Sequence, residues 1–127
     1  MNLFKVLGRM LMSSIFLFGG YGAYSAPTAR APRLEKFNLP EPELLAKING
    51  ASMMAGGVAL ALGIKPKWAA MGLVAALIPT TVVGHAFWLE ENEQARKQQQ
   101  NQFAKNLSLL GGLLLLLSEP DKKKQKD

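Results

Sequence analysis

Residues 68–89 read WAAMGLVAALIPTTVVGHAFWL, a run with no acid or base apart from His85. At a helical rise of about 1.5 Å per residue, a run of this length crosses a hydrocarbon layer of about 30 Å. Outward from it, windows without any aspartate, glutamate, lysine, arginine or histidine recur at 10–29, 48–64 and 106–118, separated by short polar, basic breaks. The first of these is long enough to span. The second is short, and reaches full length if Lys47 and Lys65 extend their ammonium groups to the two interfaces. Residues 59–62 and 113–117 are apolar on every side, as expected of a membrane span or a deeply buried helix. A chain of 127 residues is too small to bury four such helices in its own interior, so lipid is the expected solvent.

The pattern predicts an all-α fold: a four-helix transmembrane bundle, antiparallel and up-down. The helices are expected at about 3–24, 43–64, 67–88 and 102–118, within a membrane domain of residues 1–118, with 90–102 a polar external connector that is either irregular or helical and continuous with the last helix. Pro27, Pro32, Pro40 and Pro42 make 25–42 an extended external loop, and 119–127 a lysine-rich cytoplasmic tail facing anionic headgroups. The Lys65-Pro66-Lys67 turn forces the second and third helices into an antiparallel hairpin. Gly19, Gly20 and Gly22 permit close approach by a neighbour. Ser52 and Gly56, and Ala55, Ala59 and Gly63, place small residues four apart for the same purpose. Pro79 is expected to bend the third helix, with Thr80 and Thr81 able to bond freed carbonyls.

Four spans put both termini on one side. That side carries Lys5, Arg9, Lys65, Lys67, Lys122, Lys123, Lys124 and Lys126 in short segments hard against the helix ends, where the positive-inside rule has most force, so both termini are expected to be cytoplasmic, in the inner (cell) membrane. A competing reading makes residues 1–25 a cleavable signal peptide ending in Ala23-Tyr24-Ser25. The bulky Phe16, Phe18, Tyr21 and Tyr24 favour a retained helix.

The absence of cysteine excludes disulfides, thiolate nucleophiles, iron–sulfur ligation and cysteine zinc sites within this chain, and the single histidine excludes a bis-histidine haem. No metal is expected, because His85 is alone and no membrane carboxylate joins it. The net charge of +6 does not point to nucleic acid: the basic residues flank apolar windows and form no stripe with interleaved aromatics.

An ionisable group inside a bilayer costs at least about 2.5 kcal/mol and calls for a partner or a purpose. Arg9 lies a few residues into the first helix, within snorkelling range of the interface. His85 sits about one turn from the outer end of the third helix. The window 106–118 covers only about 20 Å, so spanning pulls Lys105, and with it Gln102, below the outer interface. His85, Gln102, Lys105 and Asn106 then lie at similar depth as one polar cluster that suits a carbonyl or phosphate oxygen of a quinone, a lipid headgroup or a partner subunit. No nucleophile with its base accompanies it, so no self-sufficient catalytic site is expected.

The chain resembles the DoxX family of small four-helix bacterial membrane proteins. The likeness rests on Gly8-Arg9 followed by Ile15-Phe16-Leu17-Phe18-Gly19-Gly20, on the run from Gly56 to Gly63 with the Lys65-Pro66-Lys67 turn, and on His85-Ala86-Phe87-Trp88. Most specific is the run from Gln102 to Leu113, QFAKNLSLLGGL. A lysine common near the end of the first helix in such proteins is replaced here by Gly22-Ala23-Tyr24. Relatives include a membrane subunit associated with thiosulfate:quinone oxidoreduction and members linked to oxidative-stress detoxification through assembly with soluble redox enzymes. The resemblance therefore implies a non-catalytic membrane subunit or scaffold of a redox or oxidative-stress assembly. The rival readings are a quinone-interacting subunit of an oxidoreductase and a small lipid or solute transporter. The expected partners are the bilayer and protein subunits of a redox complex, with a homo-oligomer as an open alternative.

Overall fold

The computed structural model of the protein describes residues 2–120, and within them every regular element is helical. Helix α1 covers Leu3–Ser25, a 3-10 turn Pro27–Ala29, α2 Ala31–Glu35, α3 Pro42–Leu62, α4 Pro66–Gly84, a second 3-10 turn Phe87–Leu89, and α5 Glu93–Leu117. Most of the expected lysine-rich tail, residues 121–127, lies outside the described residues.

The helix ends follow from local chemistry. Asn2 caps α1, its side-chain oxygen accepting from the amides of Phe4 at 2.9 Å and Lys5 at 3.4 Å. Asn92 caps α5 through the Ala95 amide. Pro42 and Pro66 stand in the first turns of α3 and α4, where a missing N–H costs nothing. Helix α3 stops at Gly63, whose φ of 70° is cheap only for glycine, and the Ile64 amide turns back to the Ala59 carbonyl at 2.9 Å.

Helix α1 packs on α3, α3 on α4 and α4 on α5. The core is formed by Phe16 of α1, Met53 and Leu60 of α3, Ala70, Leu73 and Leu77 of α4, and Leu113 of α5. The α1–α3 contact is made by backbone. A Cβ on Gly20 would stand 2.7 Å from the Gly50 carbonyl oxygen, and one on Gly50 would stand 2.5 Å from the Gly20 carbonyl oxygen. Small residues in this role are how membrane helices associate when lipid removes the hydrophobic drive between them. Outside the core, Phe4, Leu11, Phe18, Leu62, Trp68 and Leu115 are exposed, an apolar exterior far beyond what water tolerates on a protein of this size.

Three segments are long and apolar enough to cross a membrane: Leu3–Ser25, Pro42–Leu62 and Pro66–Leu89. Helix α5 is as long as these but carries its charge and amide side chains up to Asn106, and only its second half is greasy.

The structure departs from the sequence expectations in three places. Residues 25–42 do not run extended: they contain the Pro27–Ala29 turn and α2, with Ala31 buried against the helices. Proline in the first turn of α2 starts this short helix instead of opposing it. The third long helix ends at Gly84 with His85 as its cap, because Phe87, Trp88 and Phe103 of α5 meet edge to face and draw the chain down onto α5. The last helix begins at Glu93 and not near residue 102, since Asn92 caps a run of good helix formers that continues without a break into the leucines.

Candidate functional site

Pro79 removes one amide from the middle of α4 and so leaves the Ala75 carbonyl without its helical donor. The two threonines that follow donate elsewhere: Thr80 Oγ1 to the Ala76 carbonyl at 2.8 Å and Thr81 Oγ1 to that of Leu77 at 2.7 Å. Thr80 also accepts from Asn49 Nδ2 at 2.6 Å, a polar tie between α3 and α4. Thr80→Val removes that acceptor and leaves the Asn49 amide with only a long contact to Met53 sulfur, at 3.6 Å. The expected result is a loss of about 1–3 kcal/mol, read as a lower unfolding midpoint in detergent.

Beside this tie lies a cavity of about 600 Å³, within the range of small-molecule sites. Ile15 and Phe16 of α1, Met53 of α3, Gly72 and Ala76 of α4 and Leu109 of α5 give it apolar walls. Arg30, Arg33, His85 and Lys105 line it too, along with the neutral side chains Asn49, Thr80 and Asn106. Helices α1 and α5 meet away from these cations, where the Met12 methyl occupies the space beside Gly112 and Lys5 pairs with Glu119 at 3.5 Å.

Each polar group is held differently. Arg30 donates weakly to the Ala26 carbonyl at 3.4 Å, and its guanidinium lies over Gly22, 2.8 Å from where a Cβ would be. His85 Nδ1 stands 2.7 Å from Gln99 Oε1; with that oxygen accepting, Nδ1 holds the proton and Nε2 of the neutral ring is left to accept. Lys105 Nζ donates to Gln102 Oε1 at 2.6 Å, one turn back on α5. Asn106 is 4% exposed, and its side chain has no hydrogen-bond partner among the described residues.

Of the residues singled out in the sequence, His85, Lys105 and Asn106 therefore share one cavity. Gln102 is exposed and reaches the site only through Lys105. Arg9 is elsewhere: its guanidinium lies 3.0 Å from the Cβ position of Gly63, at the C-terminal end of α3, where the helix dipole favours a cation. Its Nε is buried and has no hydrogen-bond partner among the described residues. Arg30, Arg33 and Asn49 were missed. Asn49 is an amide inside the charge-free window 48–64, which was itself a signal, and Arg30 and Arg33 are three apart across a proline that starts a helix. Among the described residues no three histidine, cysteine or carboxylate side chains gather as a metal site.

The DoxX family model matches residues 4–86. The chain belongs to the DoxX family. Neither curated proteins nor solved structures returned a match. The DoxX match covers α1 to α4 and ends just after His85, so it takes in Arg30, Arg33, Asn49 and Thr80. Lys105 and Asn106, and with them the segment from Gln102 to Leu113 that carried the strongest part of the resemblance, lie beyond it. Family membership together with three apolar helices of spanning length makes this DoxX chain a membrane protein.

Proposed function

We propose that this DoxX chain is an inner-membrane protein whose cavity holds a membrane-soluble molecule with an apolar body and an oxygen-bearing head. The observation that carries this is the cavity itself, greasy on its walls and lined in addition by Arg30, Arg33, His85 and Lys105. The spans form a four-helix, up-down antiparallel bundle with both termini cytoplasmic. The Lys5–Glu119 pair and the approach of Arg9 to Gly63 support it, since they gather the start of α1, the end of α3 and the end of α5 at one face. Residues 1–118 act as one membrane domain, and the burial of Phe16 in the core favours a retained first helix.

The chain acts as a non-catalytic membrane subunit in a redox or oxidative-stress assembly, supplying the ligand site while soluble partners supply the chemistry. A quinone-interacting role is the second reading, favoured by Asn106, whose amide donors are unspent among the described residues and suit a carbonyl oxygen.

Mass spectrometry of the full chain, extracted in mild detergent, tests the proposal. The expected result is a co-purifying lipid-soluble molecule at about one per chain, reduced about tenfold in Gly72→Phe. Gly72 lies on the cavity wall with nothing within 4 Å of its Cβ position, so the ring has room to enter without breaking the fold. Equal small-molecule content in the two proteins, or none in either, overturns the ligand reading.

A further inference from the structure

Among the described residues, those lining the cavity include cations and amides but no aspartate or glutamate. Glutamates are nevertheless plentiful nearby in sequence, at Glu35, Glu41, Glu43, Glu90, Glu91 and Glu93. Among the described residues, Lys97 pairs with Glu93 and Lys5 with Glu119, while Arg30, Arg33 and Lys105 have no carboxylate partner. Arg30 has a backbone carbonyl at the edge of hydrogen-bond range, and Lys105 has a neutral amide. Three like charges lining one cavity repel each other and together attract an anion. Asn106 adds a buried amide with its donors and acceptor unspent on the protein.

We propose that the cavity is a site for a single-chain anionic amphiphile, its carboxylate or phosphate held by Arg30, Arg33 and Lys105 with Asn106 beneath, and its chain laid along the apolar wall. The proposal rests on the ligand reading above and adds the charge of the head. Guanidinium groups pair with carboxylate and phosphate through parallel N–H donors, which a neutral carbonyl cannot exploit to the same degree. Size points to one chain: at about 30 Å³ per heavy atom, the space that liquid water gives each oxygen, the cavity holds about twenty such atoms. A two-chain phospholipid is much larger than that.

The test uses the full chain in dodecyl maltoside micelles, equilibrated separately with radiolabelled palmitate, methyl palmitate and lysophosphatidate, and scored for label retained through gel filtration. The expected result is at least about tenfold greater retention of an anionic probe than of the methyl ester. Retention of palmitate alone assigns a carboxylate, of lysophosphatidate alone a phosphate, and of both a site that reads charge. The preference is expected to vanish in Arg33→Gln with Lys105→Gln and to survive in Arg33→Lys with Lys105→Arg. Both changes fall on exposed side chains outside the core, so all three proteins are expected to elute alike.

Equal retention of ester and acid, unaltered by the glutamine pair but lowered by Gly72→Phe, overturns the anionic head and leaves the cavity a ligand site. No retention of any probe, with Gly72→Phe indistinguishable from the parent, overturns both.

Discussion

Gly50→Leu is expected to part α1 from α3 and to cost about 3 kcal/mol or more, the upper end of what overpacking does in a close-packed core. Three nearby atoms of α1 are the reason. A Cβ on Gly50 stands 2.5 Å from the Gly20 carbonyl oxygen, 2.8 Å from the Tyr24 amide nitrogen and 3.0 Å from the Ala23 methyl group. Two of these are backbone atoms that cannot rotate away, so the helices must separate. Leucine's better helix propensity, worth less than about 1 kcal/mol against glycine, does not compensate. The measurement is the unfolding midpoint and the monodisperse fraction in detergent. Gly8→Leu and Gly111→Leu are the controls: neither Cβ position has a neighbour within 4 Å, and both variants are expected to be as stable as the parent or up to about 1 kcal/mol more so. Gly20→Leu is expected to resemble Gly50→Leu, and the double variant to fall short of the sum, because both residues guard the same contact.

Asn106→Leu is expected to move stability and ligand content in opposite directions. Asn106 is buried at the cavity wall, and its side chain has no hydrogen-bond partner among the described residues, so replacing it with an apolar group of similar size removes part of a desolvation cost, up to about 1 kcal/mol for an amide that opens onto the cavity. The ligand-free protein should therefore melt higher. The same change takes away the amide beneath the head, and bound amphiphile should fall. Thermal melts with and without palmitate separate the two effects: the probe is expected to stabilise the parent more than the variant. A variant that melts lower without ligand would mean that Asn106 serves packing alone.

Much of the architecture is legible in the sequence because membrane helices advertise themselves through missing charge. The window 68–89 lies within one segment of spanning length, 10–29 and 48–64 overlap the other two, and Lys65-Pro66-Lys67 falls at the turn between α3 and α4. Helix α2 was hidden because its five residues are too few to show a period, and its buried contact is a single alanine. The glycine contacts were read only in part. Gly20 was singled out, but the stripe chosen on α3 omitted Gly50, since which face meets which neighbour depends on how the helices cross. Gly50 and Gly57 turn toward α1, whereas Gly56 lies under Leu73 of α4. Of the polar residues that line the cavity, His85, Lys105 and Asn106 are singled out in the sequence by asking which polar groups sit too deep for their surroundings. The same question points to Asn49. Arg30 and Arg33 escaped it because they belong to a segment that composition assigns to water.

The apolar wall of the cavity has a consequence for how selectivity can arise. A void between helices in a bilayer is bordered by acyl chains as greasy as Phe16, Met53 or Leu109, and dispersion drives such chains into any space that admits them. A ligand therefore exchanges with resident lipid; it does not fill a vacuum. On the tail side this exchange replaces like with like and is nearly neutral in free energy. Discrimination among membrane molecules then falls to the handful of polar atoms on Arg30, Arg33, His85, Lys105 and Asn106, and the affinity of the site is a ratio of two occupancies set by the lipid in which it is measured.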